Sequence, residues 1–152
     1  MIASVIIQFD RQPHEFAPRE TVTGTFRTVD VAPEEISRLE FSVLWFTEGK
    51  GDEDLGVLFF KSLDGSENVR GSESEFDSAG SENQVHLISS EVDGLTYSFT
   101  VRLPSSPMTW HGKILKIFWC ARARLFLKSG REVMSERVFN VGKIPPVQVE
   151  LN

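Results

Sequence analysis

Apolar and polar residues alternate with a period of two along much of this chain, a pattern typical of β-strands with one buried face. The longest alternating segment follows Lys113. Its apolar parity consists of Leu115, Ile117, Trp119, Ala121, Ala123, Leu125 and Leu127. Its other parity mixes lysine, arginine and phenylalanine with Cys120. We therefore predict a long strand here, with one face in the core and one mixed face.

Shorter segments of the same kind predict the other strands. They lie at residues 2–9, 21–29, 36–46, 57–60, 85–88, 95–103, 132–140 and 147–151. Asp93-Gly94 and Ser129-Gly130 are typical hairpin turns between such segments. Pro33-Glu34-Glu35 could open a short helical turn. No segment keeps the 3.6-residue apolar period of a helix over three turns.

A proline-rich break separates two of the predicted strands. The strand at 95–103 runs into Pro104-Ser105-Ser106-Pro107, and Trp110-His111-Gly112 then leads into the long strand. Proline cannot donate to a sheet ladder, so this break predicts that the chain leaves one sheet and enters another. We predict an all-β fold of about nine strands, a two-sheet antiparallel β-sandwich of the immunoglobulin-like class.

The chain length predicts a single domain. Domains commonly contain ~100–150 residues, so residues 1–152 are expected to share one core. Residues 62–84 differ from the rest, with six serines, three glycines and six acidic residues. Such a segment buries too little apolar surface to offset the entropy lost on ordering. We therefore expect a flexible acidic loop at 62–84 within the one domain.

The net charge of −6 and the sequence pI near 5.1 argue against nucleic acid as a partner. A local basic stripe is an open alternative, because six cations fall on the long strand or its following turn. They are Lys113, Lys116, Arg122, Arg124, Lys128 and Arg131. One cysteine allows no intramolecular disulfide, and no apolar run approaches the ~20 residues of a membrane span. A cytoplasmic protein without an integral membrane segment is expected.

Candidate chemistry is sparse. His14, His86 and His111 lie far apart in sequence and lack the spacing of zinc ligands. Cys120 sits in mid-strand, where cysteine usually acts as a small packed hydrophobe. The chain has no nucleophile elbow, phosphate-binding glycine loop or twelve-residue calcium loop. We expect no catalytic residues, no metal and no cofactor, so an enzyme is not predicted.

Two groups of residues carry a resemblance to a known family. The first group reads Phe16-x-Pro18-x-Glu20-x-Val22-x-Gly24. The second reads Phe99-x-Val101-x-Leu103-Pro104, Ser105-Ser106-Pro107, Trp110-x-Gly112 and Ile117-x-Trp119-x-Ala121-x-Ala123-x-Leu125. Together they resemble the N-terminal domain of the arrestins and arrestin-like proteins. The resemblance implies an arrestin-like sandwich and the role of a trafficking or signalling adaptor.

The chain also departs from the pattern of that family. Arg19 replaces the glycine of the signature "Pro-Gly-Glu-x-Val-x-Gly", and Thr109 takes the usual serine position. The first strand lacks the paired phosphate-sensing lysines of visual and β-arrestins, and Pro145-Pro146-Val147-Gln148 lacks the tyrosine of a ligase-recruiting motif. A single sandwich could not form the two-domain receptor clamp. The resemblance therefore implies protein binding without those two mechanisms.

Two classes of function follow. The first is a non-catalytic interaction or adaptor module, which accepts an extended peptide at a sheet edge or face. Its candidate partner-binding residues are Trp110 and His111 beside the proline break, and Phe76 in the acidic loop. Trp110 could instead pack under the break, and Phe76 could only anchor the loop. Self-association through sheet edges is a further expectation for this class.

The second class is a sandwich that binds a small ligand or a carbohydrate. Trp45, Trp110 and Trp119 are its candidate stacking platforms. Trp45 and Trp119 fall on apolar parities, which favours burial in the core. Two or more exposed, coplanar rings would favour sugar binding, whereas a buried set would favour the interaction module.

Overall fold

A computed structural model describes residues 2–51, 53–64 and 83–142. These residues form two packed antiparallel sheets and contain no α-helix, which confirms the predicted all-β sandwich. Phe76 and the predicted strand at 147–151 lie outside the described residues, as does most of the expected loop at 62–84.

Ten strands and one 3₁₀ turn are present in the described part of the chain. The 3₁₀ turn occupies Pro33–Glu35, where the sequence left a short helical turn open. The strands are β1 (Ser4–Phe9), β2 (Glu15–Phe16), β3 (Thr21–Val29), β4 (Ile36–Gly49), β5 (Leu55–Leu63), β6 (Gln84–Glu91), β7 (Gly94–Arg102), β8 (Trp110–His111), β9 (Leu115–Leu127) and β10 (Glu132–Val141). Within these described ranges, no helix is long and apolar enough to span a membrane.

The strands divide into a four-stranded sheet, β1-β3-β7-β6, and a six-stranded sheet, β2-β10-β9-β4-β5. The sixth strand of the larger sheet, β8, pairs with β9 beyond the point where β10 ends. β2 pairs with β10 in parallel, and the other pairs are antiparallel. The chain crosses between the sheets through Pro104 and Pro107, where the sequence predicts the crossing.

Strand ends differ from the prediction at β5. The apolar run at 57–60 predicts four residues, but β5 extends over nine and includes Ser62 and Leu63, which the sequence assigns to the loop. The cause is its neighbour: β4 is fourteen residues long and pairs with β5 from Leu39 to Phe46. A partner backbone therefore extends a strand that its own composition would end at Lys61.

The core is formed by the facing parities of the two sheets. Phe26 on β3 stacks on Phe41 on β4, with ring centroids 4.4 Å apart and planes 3° from parallel. Phe99 on β7 lies 4.6 Å from the same Phe41 ring. Trp119 on β9 is fully buried, and its indole N–H donates to the Pro107 carbonyl at 2.9 Å. Aromatic rings therefore join the two sheets and fix the proline crossing.

Gly24 shows why the arrestin-like pattern has glycine at this position. It lies opposite Phe9 in the β1–β3 ladder. A β-carbon at this position would collide with the Gln8 carbonyl oxygen and approach the Phe99 ring to 2.8 Å. The close approach of β1 therefore leaves no room for a side chain.

Arg19 occupies the position where the family signature has glycine, and its backbone has a φ of 70°. This left-handed conformation costs an L-residue about 1–2 kcal/mol, whereas glycine adopts it freely. The Arg19 N–H donates to the Pro104 carbonyl at 3.2 Å, which ties the residue to the proline crossing. The departure from the family pattern therefore leaves backbone strain in this turn.

We expect Arg19→Gly to stabilise the protein. Relief of the strain should exceed the ~0.4–1 kcal/mol that glycine loses through its more flexible unfolded state, giving a net gain of about 0.5–1 kcal/mol. Urea unfolding would measure the gain, with Arg19→Ala as the control because alanine removes the side chain but keeps the β-carbon. Equal stabilisation by both variants would show that the side chain, not the backbone, is responsible.

Candidate interaction surface

An apolar patch covers part of the outer face of the six-stranded sheet, the face turned away from the four-stranded sheet. We call it the outer patch, and it consists of Leu44, Phe46, Leu55, Val57, Phe118 and Val138. The strand register builds it in two rows. One row runs Val57–Leu44–Cys120–Val138 across β5, β4, β9 and β10, and the next runs Leu55–Phe46–Phe118.

The outer patch has a buried base and exposed sides. Leu44 and Cys120 are 1% and 0% exposed although they lie outside the core between the sheets. Leu55, Val57 and Val138 around them are 57%, 54% and 49% exposed. Phe46 and Phe118 stack with centroids 5.3 Å apart. The patch is thus a contiguous apolar surface rather than a set of scattered side chains, and such surfaces commonly mark interaction sites.

Ion pairs lie on the neighbouring part of this outer face, together with the exposed apolar side chains of Phe60 and Met134. Arg122 pairs with Glu136 at 2.6 Å. Arg124 pairs with Glu132 at 2.7 Å and approaches Glu40 at 3.9 Å. Two of the six cations that could form a basic stripe are therefore neutralised by carboxylates on neighbouring strands. The sequence could not reveal this neutralisation, because the partners come from strands whose register is unknown beforehand.

The end of the outer patch nearest the β4–β5 and β8–β9 hairpins carries a row of charges. Glu48 on β4 lies opposite Lys116 on β9, and Lys116 lies opposite His111 on β8. All three side chains are exposed. The described part of the β4–β5 hairpin adds Glu53 and Asp54 against one cation, Lys50, while the β8–β9 hairpin adds Lys113. The row is therefore acidic on the β4–β5 side and basic on the β8–β9 side.

The structure places the two described candidate residues on opposite faces of the sheet. His111 lies on the outer face, with its ring 5.7 Å from that of Phe118. Trp110 pairs with Ile117, so it lies on the inner face, yet it is 58% exposed. A β-carbon on Gly112 would meet the Trp110 indole nitrogen at 2.5 Å. Only His111 therefore borders the outer patch.

The three tryptophans do not form an exposed aromatic platform. Trp119 is fully buried, and Trp45 is partly buried against the core. The Trp45 ring lies over Gly56 on β5, where a β-carbon would collide with it. Trp110 is the only one of the three that is largely exposed. With one of the three rings largely exposed, the two or more exposed, coplanar rings expected for a sugar site are not present among these tryptophans.

Cys120 has the surroundings of a packed residue rather than a nucleophile. Burial, with a smaller contribution from the Glu136 carboxylate, raises the pKa of its thiol to about 11. The reactive form of cysteine is the thiolate, so the group stays protonated and unreactive at neutral pH. Among residues 2–51, 53–64 and 83–142, no cluster of histidine, cysteine and carboxylate side chains could hold a metal ion.

An ion pair closes the loop of residues 11–20, which precedes β3 and includes part of the motif that carries the family resemblance. Arg11 pairs with Glu20, whose carboxylate also accepts the Ala17 N–H at 2.7 Å. The Arg11 guanidinium, followed by the Ala17 N–H, holds the pKa of Glu20 below its ordinary value. Glu20 is therefore a structural residue that closes the 11–20 loop.

Sequence reasoning missed most of the outer patch. Phe118 and Cys120 appear on the mixed parity of the long strand, but alternation alone does not show that Phe46, Val57 and Val138 lie beside them. That information comes from the pairing of β4, β5 and β10 with β9. The sequence does contain one indication of the patch: residues 44–46 and 57–60 are apolar at every position, so both faces of these strands carry apolar side chains.

Comparison with known proteins supports the fold. The sequence matches no family model. No curated protein is similar to it in sequence. Among solved structures, Spo0M, a sporulation control protein from Bacillus subtilis, superposes with a TM-score of 0.56 and 12% sequence identity. The alignment covers 93% of this chain and 50% of that chain, so this chain spans about half of Spo0M.

Spo0M has an arrestin-like fold, and the match therefore supports the fold that the sequence motifs imply. At this identity the similarity concerns the fold alone. The chain is thus an arrestin-like β-sandwich whose most distinctive exposed feature is the outer patch.

Proposed function

We propose that this chain is a non-catalytic protein-interaction module and that it binds through the outer patch. The observation that carries this proposal is the contiguous apolar surface over Leu44 and Cys120, with Leu55, Val57 and Val138 about half exposed. Monomeric soluble proteins usually keep large apolar patches covered, and a partner would remove this one from water. The arrestin-like fold, typical of adaptors, is consistent with this role.

The face is a better candidate than the sheet edges. Each of the two edge strands on one side of the sandwich contains a β-bulge, with Leu58 as the extra residue in β5 and Ile88 in β6. Bulges twist an edge and interrupt its hydrogen-bonding groups. On the other side, the Arg137 guanidinium donates to the Ile7 carbonyl of β1 at 3.1 Å. β10 pairs with β2 only at Asn140 and Val141, so its edge from Glu132 to Phe139 has no strand partner in the described chain, but the charged Glu132, Glu136 and Arg137 disfavour strand addition there.

The ligand-binding alternative lacks a comparable feature. Carbohydrate sites depend on exposed aromatic rings, and of the three tryptophans Trp110 alone meets this condition. Within the described part of the chain, no second aromatic ring stacks against Trp110. We therefore place the interaction module first.

Substitution of Val57 tests the proposed function. Val57→Lys places a charge in the outer patch and should weaken binding of a captured protein at least about tenfold, because a charge would have to be buried against an apolar contact. The matched control is Ile88→Lys, because Ile88 is 56% exposed on an edge strand of the opposite sheet. Proteins captured from source-cell lysate would be identified, purified and titrated against the wild type and both variants.

The proposal expects the Val57→Lys variant to lose binding and the Ile88→Lys variant to keep it. Equal binding by wild type and Val57→Lys would place the interaction on another surface and refute the role of the outer patch. Thermal unfolding of all three proteins would verify that both substitutions leave the sandwich folded, which is expected because both side chains are about half exposed.

A further inference from the structure

The charges bordering the outer patch are arranged with opposite signs on its two sides. Glu48, Glu53 and Asp54 outnumber the single described cation, Lys50, on the β4–β5 side, whereas Lys113 and Lys116 lie on the β8–β9 side. Neither Glu48 nor Lys116 forms an ion pair with another residue in the described ranges. A partner that matched this border would need the reverse order of charges, basic over β4 and acidic over β9.

A second copy of the same chain offers that order when the two copies are related by a two-fold axis. The axis lies above the outer face, parallel to β4 and β9 and midway between them. Such a rotation keeps the strand direction but exchanges left and right. β4 of one copy then faces β9 of the other, and Glu48 faces Lys116 of the second copy. The contact occurs twice, because a two-fold interface repeats each pair.

The same rotation also matches the apolar rows. Phe46 faces Phe118, and Val57 on β5 faces Val138 on β10, at the same heights along the strands. Leu44 faces Cys120 at the centre. Every apolar position of the outer patch except Leu55, which lies at the height of Asn140 on β10, therefore meets an apolar position. The acidic border meets the basic one, and this largely self-complementary arrangement is what a two-fold interface requires.

We infer that the outer patch binds a second copy of this chain, face to face, around a two-fold axis parallel to β4 and β9. This inference rests on the proposed function, since it names the partner of the same surface. The contact would span four strands, about 15 Å, and about six residues along them, about 20 Å. That footprint, roughly 300 Å² per copy, is below the ~800 Å² per partner of a standard interface, so we expect a weak, transient dimer that is populated only at high micromolar concentration.

A charge-exchange experiment tests the inference. Analytical ultracentrifugation of the whole chain across the micromolar range, at low salt, would compare the wild type with Glu48→Lys and Lys116→Glu. Each variant alone brings like charges together at both copies of the contact, so its dimer should be at least about tenfold weaker. Both side chains are exposed, so both variants should fold.

Mixing the two variants provides the decisive measurement. In the mixed dimer, the lysine introduced at position 48 of one chain would face the glutamate introduced at position 116 of the other. The second contact would keep its original Lys116 and Glu48, so every pair is again of opposite charge. We expect the equimolar mixture to dimerise about as tightly as the wild type. A mixture no tighter than either variant alone would overturn the two-fold arrangement.

Two further outcomes separate this inference from the proposed function. A wild-type chain that stays monomeric at every concentration, while Val57→Lys still loses a captured protein, would overturn the second copy as partner and leave the interaction module standing. A dimer that persists in Val57→Lys would overturn the inference by showing that self-association uses another surface. Ile88→Lys, the control on the opposite sheet, should dimerise like the wild type.

Discussion

Replacing Trp119 with alanine should lower the free energy of unfolding by about 3–5 kcal/mol. The indole is fully buried, lies 6.0 Å from the Phe139 ring and donates to the Pro107 carbonyl. Its removal would leave a large cavity and an unsatisfied carbonyl where the chain crosses between the sheets. Chemical denaturation monitored by circular dichroism would measure the loss.

Trp119→Phe separates packing from hydrogen bonding. Phenylalanine retains much of the ring volume but cannot donate to Pro107, so we expect a smaller loss of about 1–3 kcal/mol. If Trp119→Ala changed stability by less than about 1 kcal/mol, a value far below that of core truncations, the long strand would have its faces reversed. Such a result would also move the outer patch to the interior.

The second large effect is expected at the stacked pair that joins the two sheets. Phe41→Ala should cost about 3–5 kcal/mol, because the fully buried Phe41 ring contacts Phe26 and Phe99 from the opposite sheet. Phe60→Ala is the matched control. Phe60 lies on the same sheet but is 54% exposed, so its loss should be under about 1 kcal/mol.

A double-mutant cycle measures the coupling of the pair. Leucine substitutions at Phe26 and Phe41 keep the core apolar, so both single variants and the double variant should fold. We expect the double variant to lose about 0.5–1.5 kcal/mol less than the sum of the single losses, the range found for aromatic pairs. Strict additivity would show that the stacked geometry contributes no energy beyond burial.

In a face-to-face dimer, the six-stranded sheet would form the core with one face and bind the second copy with the other. The inner face of that sheet holds the core, while the outer face divides into an ion-paired half and the outer patch. In the ion-paired half, Arg122 and Arg124 are already ion-paired within the chain, beside the exposed Phe60 and Met134. In the inferred dimer, recognition would use the outer patch and its border of opposite charges.

The family resemblance and the structure agree on particular residues. Gly24 lies where β1 leaves no space for a β-carbon, and Trp119 anchors the proline crossing. Both residues belong to the motifs that carry the resemblance. Arg19 shows the opposite case, because the turn keeps its left-handed backbone although the sequence no longer supplies glycine. The tertiary contacts of this turn outweigh the local preference of its residue.

The sequence alone determined the class of fold and the core face of the long strand. Alternation with a period of two depends on local geometry, so it is visible in any strand whose neighbours are unknown. The proline crossing was predictable because proline restricts its own backbone and cannot donate to a sheet ladder, which are also local properties. These features need no information from distant residues.

Only the tertiary structure decided where the candidate site lies. The outer patch combines side chains of four strands, and a shift of one residue in any pairing would turn its members to the other face. Register depends on long-range packing and on the bulge at Leu58, neither of which leaves a local signal. The sequence therefore pointed to Trp110 and His111, whereas the fold brings only His111 to the border of the apolar surface.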